Sequence, residues 1–143
     1  MTIRAWHIMR EKSSVKPDTT AQDIAHKIIS SGLPGLPVVN DAMEVVGMVT
    51  EHHILAALGE GLDLEKLPAQ ELMMTTPITA DMNTSPEELI RMMLINNCCA
   101  VLPIVNNRKY VGVVSRHMLM EIKMSPYYTR FAQKDRKGPF VCL

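Results

Sequence analysis

Paired short apolar runs, each pair broken by a polar turn and followed by a helical stretch, occur twice along the chain. Leu36-Pro37-Val38-Val39-Asn40, a four-residue turn and Val45-Val46-Gly47-Met48-Val49 predict two strands of an antiparallel hairpin, because Val and Ile suit a pleated, half-buried surface. The second strand runs into Thr50-Glu51-His52-His53-Ile54-Leu55-Ala56-Ala57, a helix opened by an N-cap hydroxyl. The second copy reads Leu102-Pro103-Ile104-Val105-Asn106, a shorter turn, Val111-Gly112-Val113-Val114, then Ser115-Arg116-His117-Met118-Leu119-Met120-Glu121-Ile122.

Upstream of each hairpin apolar residues recur at the three-to-four spacing of a buried helical face. In the first copy Thr20 caps a helix whose third position is Asp23, Ile24, Ala25, Ile28 and Ile29 form its buried face, and Gly32 stops it. In the second, Ser85 is the cap, Pro86 takes the first position and Glu88 completes a capping box. Leu89, Ile90, Met92 and Met93 are its apolar stripe, and Asn96-Asn97 end it. Ser13 to Asp18 reads as a short edge strand or loop closed by Pro17. Met9 with Met74, Thr19 with Thr84, Gly47 with Gly112 and His52 with His117 recur at an offset of 65, so the repeat reaches back to the lead-ins.

The repeat divides the chain into residues 1–62, 63–124 and a tail, 125–143. Gly59 to Pro68 is a short, leucine-containing linker, and the apolar content of both copies demands that they pack on each other, one copy alone burying too little. The tail holds four of the six aromatic residues, Tyr127, Tyr128, Phe131 and Phe140, and is expected to dock on the module or a partner.

Fifteen basic and fifteen acidic side chains cancel over 143 residues, which argues against nucleic acid or an anionic membrane surface as a partner. No apolar run approaches the length of a membrane span, and the first residues lack the apolar core of a signal peptide, so the expectation is a soluble cytoplasmic protein. Three cysteines make no disulfide framework; Cys98-Cys99 read as buried thiols, and no metal-ligand spacing is present. No Ser-His-Asp or Cys-His arrangement and no P-loop stands out, which argues against an enzyme.

The ordered set of Met lead-ins, capped helices, Leu-Pro-Val-Val-Asn and Leu-Pro-Ile-Val-Asn strands and Gly-x-x-Thr and Gly-x-x-Ser turns, found twice over residues 8 to 122, resembles a tandem pair of CBS domains, or Bateman module. The resemblance implies an α/β (α+β) fold of two β-α-β-β-α repeats, packed sheet to sheet about a pseudo-twofold, with two clefts. It further implies a regulatory role: an adenine nucleotide or adenosyl compound (AMP, ADP, ATP or S-adenosylmethionine) as ligand, no required cofactor, a homodimer, and output through an unknown effector protein. In nucleotide-binding members the turn reads Gly-x-x-Thr/Ser-x-x-Asp, the Asp holding the ribose hydroxyls. Here that position is His53 in one copy and Met118 in the other. Imidazole can make one such bond, whereas a thioether is a weak acceptor.

A strand running into a helix N-terminus is an anion site, since free N–H groups and the positive dipole end point outwards; Gly47 and Gly112 are read as clearing a ligand's approach. The candidate ligand-binding residues are Thr50 and His53 in the first copy and Ser115, Arg116 and His117 in the second. Backbone around Ser13-Ser14 and Ile78-Thr79 is the candidate for base contacts. Arg116 follows the second cap where Glu51 follows the first, so a phosphate is expected to prefer the second turn. The competing reading is a dimerisation and protein-interaction module with empty sites. In either case Leu55, Ala56, Leu58, Leu119, Met120 and Ile122 on the two capped helices are the expected dimer surface.

Overall fold

The computed structural model describes residues 2–10, 13–95 and 100–124. Asn96-Asn97, Cys98-Cys99 and the aromatic tail, residues 125–143, lie outside the described residues. In chain order the elements are α1 (Ala5–Ile8), α2 (Ala21–Ser31), β1 (Gly35–Val39), β2 (Val45–Thr50), α3 (Glu51–Gly59), a 3₁₀ turn (Leu64–Lys66), α4 (Ala69–Leu72), β3 (Ala80–Asp81), α5 (Pro86–Ile95), β4 (Val101–Asn106), β5 (Lys109–Ser115) and α6 (Arg116–Met124). Each repeat therefore has the expected order, an edge strand or bridge followed by helix, hairpin and helix. No helix among the described residues is long and apolar enough to cross a membrane.

The chain forms two compact units whose membership cuts across the repeats. One takes Ser13–Pro77 and Arg108–Tyr110; the other takes the described residues within Met1–Lys12, Ile78–Asn107 and Val111–Leu143. In the first, β1 and β2 pair antiparallel, Gly35 opposite Thr50 and Leu36 opposite Val49, with a bulge between Val38 and Val39. Val15 bridges Val38 in parallel on the other edge of β1. Thr50 and Thr20 cap α3 and α2 as expected, and Gly32 ends α2 at φ 70°, a left-handed conformation that costs glycine little. Ala21, Ile24 and Ile28 of α2 are buried with Leu36, Val38 and Val49. Ile29, expected on the same face, is instead 78% exposed. One step of about 100° beyond Ile28 carries it past the edge of the buried arc.

In the other unit β3 lies parallel to β4, Ala80 against Ile104 and Asp81 against Val105, and β4 is followed by β5 in a three-stranded sheet. Asn107 and Arg108 both have positive φ, 50° and 67°, which suits the tight reversal between β4 and β5. Leu89, Leu102, Ile104, Val113 and Val114 form the core with Leu119 and Ile122. The last two were expected on a dimer surface; they face their own core because they lie one turn apart with Met118, also buried, on the sheet side of α6. Ser85 Oγ accepts from the Glu88 amide at 3.2 Å as a cap should, but the Glu88 carboxylate pairs with Arg91 at 2.7 Å and does not turn back.

The lead-ins are exchanged. In one unit Ala5 N donates to Thr84 O at 2.8 Å and Trp6 N to Met82 O at 3.0 Å, so α1 joins the second repeat. In the other, Ala69 N donates to Thr19 O at 2.8 Å and Gln70 N to Pro17 O at 2.9 Å, so α4 joins the first. Thr84 and Met82 are the repeat-equivalents of Thr19 and Pro17. Beyond each short helix the chain makes an antiparallel bridge, Met74 to Met48 and Arg10 to Val113. The glycines serve this approach and not a ligand's. A Cβ on Gly47 would lie 2.9 Å from Met74 O and against the Met73 sulfur, and one on Gly112 would lie 2.7 Å from Arg10 O and 2.8 Å from Met9 Sδ.

Tyr110 ties down the start of the first repeat. It is 1% exposed; its hydroxyl donates to Ser13 O at 2.9 Å and accepts from Ser13 N at 3.1 Å.

Two outcomes follow from these contacts. Gly47→Ala and Gly112→Ala should each lower stability to urea by about 1–3 kcal/mol, because a backbone carbonyl yields little room. Gly59→Ala, where a Cβ meets nothing within 4 Å, should be neutral or stabilising; equal effects at all three sites would refute the close-approach account.

Burial pushes the Tyr110 phenol up to about 12 from the ordinary 10.0, its bond to Ser13 acting the other way. A group with a raised folded-state value gives stability that is complete below the unfolded value and lost as pH rises through the folded one. The native protein should therefore weaken from about pH 10 to 12 in a step that Tyr110→Phe lacks, while Tyr110→Phe costs about 1–2 kcal/mol at neutral pH by stranding the Ser13 amide groups. Parallel alkaline unfolding curves for the two proteins would contradict this.

Candidate functional site

Each unit gathers its candidate residues at one end of its sheet. In the first, Thr50 faces Gly35 at the start of β1, and Ser13-Ser14 lead into the Val15 bridge on the opposite edge of the same strand. Two strand spacings separate them, roughly 10 Å. In the second, Ile78-Thr79 lead into β3, which runs parallel to β4, while Ser115 closes β5 at the start of β4, where Arg116 N donates to Ala100 O at 3.3 Å.

A helix N-terminus has four N–H groups without intrahelical partners. At α3 three of them are used internally. Thr50 N donates to His53 Nδ1 at 3.0 Å, Glu51 N to Pro34 O at 2.9 Å and His53 N to Thr50 Oγ1 at 3.4 Å. At α6 the same three are used: Ser115 N donates to Met118 Sδ at 3.5 Å, Arg116 N to Ala100 O, and Met118 N to Ser115 Oγ at 3.2 Å. The expectation of several free amides is thus reduced to one per helix among the described residues, that of His52 at α3 and that of His117 at α6. His53 and Met118 both fold back as reciprocal caps, so the two residues standing where the family pattern has Asp do the same structural job with an imidazole and a thioether.

Beyond the caps the two sites differ in charge. Glu51 and His52 are exposed on α3; burial, then the neighbouring His52, hold the His53 imidazole below its ordinary range. At α6 Arg116 is exposed, with no ion pair to any described residue, and His117 Nε2 lies 2.7 Å from Glu121 Oε1. Ser115 is 5% exposed, so its hydroxyl faces the cap and not open solvent. The backbone of the first site is more occupied than the sequence suggested: Lys27 Nζ donates to Ser14 O at 3.1 Å, and Tyr110 holds both polar groups of Ser13. Neither Lys27 nor Tyr110 was singled out from the sequence. Lys27 reads as one more charge on the open face of α2, and Tyr110 falls at the edge of a turn without periodicity. No group of three or more His, Cys, Asp and Glu among the described residues is placed to hold a metal ion.

Comparison with known proteins bears on this arrangement. The uncharacterised protein MK0525 of Methanopyrus kandleri is 25% identical over 130 residues, 90% of this chain and 65% of that protein; two further, longer relatives are spanned over 20% and 25% of their lengths. Among solved structures, CBSX2 of Arabidopsis thaliana in complex with AMP is 25% identical with a TM-score of 0.72, covering 85% of this chain and 96% of that one. The CBS domain pair of MJ0100 in complex with 5-methylthioadenosine and S-adenosyl-L-methionine shares the fold, with a TM-score of 0.76 at 21% identity over 87% of this chain and 98% of that one. The CBS domain family model matches twice, at residues 5–60 and 69–125, and with the repeated strand, hairpin and capped helix seen in the structure it follows that the chain belongs to the CBS domain family.

Proposed function

We propose that the chain is a regulatory module, not an enzyme, that binds an adenine nucleotide or adenosyl compound at its strand-end sites and reports to an effector protein through a change in packing. The observation that carries this reading is the end of α6. An exposed guanidinium, Arg116, follows the cap next to the remaining helix-terminal amide, that of His117, and Ile78-Thr79 enter the same unit at the lead of β3, on the far side of β4 from β5. AMP in the CBSX2 complex, at 25% identity, supports the ligand class. A phosphate at α6 gains a charge-assisted contact from Arg116, whereas Glu51 repels it at α3.

A second reading has its own support. Because three of four terminal amides and both repeat-equivalent side chains, His53 and Met118, are turned onto the caps, the sites retain few ribose contacts. A module with empty sites, kept for dimerisation and docking, would have this appearance. Both readings include a homodimer, formed through the exposed Leu55 and Leu58 of α3 in one unit and the exposed Met120 of α6 in the other, since exposed apolar side chains of this size favour a partner.

Titration with AMP separates the readings. Arg116→Glu should weaken binding about tenfold, with Thr50→Ala affecting it less. Unchanged affinity in Arg116→Glu would reject α6 as the phosphate site, and the lack of any thermal stabilisation by AMP, ADP, ATP or S-adenosylmethionine would leave the docking module. A ligand at a hundred times its dissociation constant stabilises by about 2.7 kcal/mol, which a melting curve resolves.

The assembly is tested by sedimentation. The native chain should run at twice its mass at micromolar concentration, and Leu55→Glu with Leu58→Glu should run as a folded monomer. A native monomer, or a double variant that still pairs, would rule out the α3 surface.

A further inference from the structure

Two helices open on the same arrangement. At α1 the Arg4 amide donates to His7 Nδ1 at 2.8 Å, and at α3 the Thr50 amide donates to His53 Nδ1 at 3.0 Å. In each, the third helical residue reaches back to the cap backbone, a place usually taken by Glu or Gln. An imidazole nitrogen that accepts carries no proton, so either bond lasts only while the ring is neutral. Both histidines belong to the first repeat, and their equivalents at the offset of 65 are Leu72 and Met118, which do not titrate. The exchange of lead-ins then gives one such cap to each unit: His7, 3% exposed, lies in the helix that docks on the second repeat, and His53 lies after the first repeat's hairpin. The caps at Thr20, Ser85 and Ser115 use hydroxyls, which accept at any pH near neutral.

α3 packs against α2, whose charged or titratable groups are Asp23, His26 and Lys27, and against β2, which has none; Glu51, His52 and Glu60 are those on α3 or at its end. Burial, then His52, hold His53 below its ordinary 6.5, and an imidazolium would stand at the positive end of the helix dipole. α1 carries Arg4, with Arg10 just beyond it, and packs against α6 and the residues after β3. The groups there are Asp81, Arg116, His117, Glu121 and Lys123, of which Glu121 pairs with His117 and Lys123 with Glu87. A helix of four residues is not stable alone. α1 therefore depends on its cap bond and on the bonds that Ala5 and Trp6 make to Thr84 O and Met82 O.

We propose that His7 and His53 form a proton switch: acidification takes the acceptor from both caps, so that the first turn of α3 opens and α1 leaves the second repeat, while α2, α5 and α6 keep their caps. The chain then reports a fall in pH by releasing its lead-in, whatever its strand-end sites bind. For His53, whose folded-state value is depressed, the cap's stability is complete above the unfolded value of 6.5 and is lost as pH falls through the folded one.

The experiment uses the full chain with His7→Gln, His53→Gln and both together, since Gln keeps an acceptor that does not titrate. The urea midpoint of the native chain should fall from about pH 7 to about pH 5. Each single variant should lose about half of that fall and the double variant most of it, with the exposed His26→Gln as the control that retains it. Trp6, the one tryptophan, stacks on the His7 ring at 3.9 Å and reports α1. Its fluorescence should change over the same range in the native chain and in His53→Gln, but not in His7→Gln. A native midpoint that stays level across this range, or a double variant that falls as steeply as the native chain, overturns the proposal. Should His7→Gln not fold, long-range ¹H–¹⁵N correlation of both rings in the native chain at about pH 8 decides the matter: protons on Nε2 are the expected result, and a proton on Nδ1 of either ring overturns it.

Discussion

The structure depends on two places where one backbone passes directly over another. Met74 meets Met48 and Arg10 meets Val113 as short antiparallel bridges, and at each crossing the partner strand carries a glycine, Gly47 or Gly112. A bridge of this length contributes few hydrogen bonds, so its value lies in position. It sets each short lead-in helix against the repeat it did not come from, where Thr84 and Thr19 receive the first helical amides. The compact units follow from this exchange, and so does the direction from which Ser13 and Ile78 enter their sheets.

The helix caps show how stability and binding compete for the same atoms. A ligand at a helix N-terminus needs free amides, while a helix needs those amides satisfied. Here Thr50 with His53 and Ser115 with Met118 settle most of the contest in favour of the helix. In the side chains around the caps the two copies differ: Glu51 and an imidazole in one, Arg116 and a thioether in the other. The duplicated fold therefore carries two chemically unlike ends.

The fold was legible because its signals are local. Apolar, strand-forming runs at 36–40 and 102–106, cap hydroxyls at Thr20, Thr50, Ser85 and Ser115, and the stop at Gly32 each appear within a few residues of the structure they specify. The details that failed depend on distant partners. Gly47 and Gly112 looked like clearances for a ligand, since nothing nearby in sequence announces that Met73 or Met9 will lie over them. Leu119 and Ile122 looked like an interface for the same reason that Leu55 and Leu58 did, and only the packing of α6 on its sheet tells them apart. Tyr110, 97 residues from Ser13, could not be connected to it by any spacing rule.

The exchange of lead-ins also says something about how such a chain could arise. A lone repeat would carry a helix and bridging residue with no place to dock on itself, and a glycine-lined crossing with nothing to fill it. Two separate copies would complete each other, but only at concentrations that favour their encounter. Joining them through Gly59 to Pro68 makes that encounter intramolecular, replacing dependence on expression level with a fixed effective concentration. Once completion no longer required identical copies, each half was free to change the residues around its cap without losing its partner.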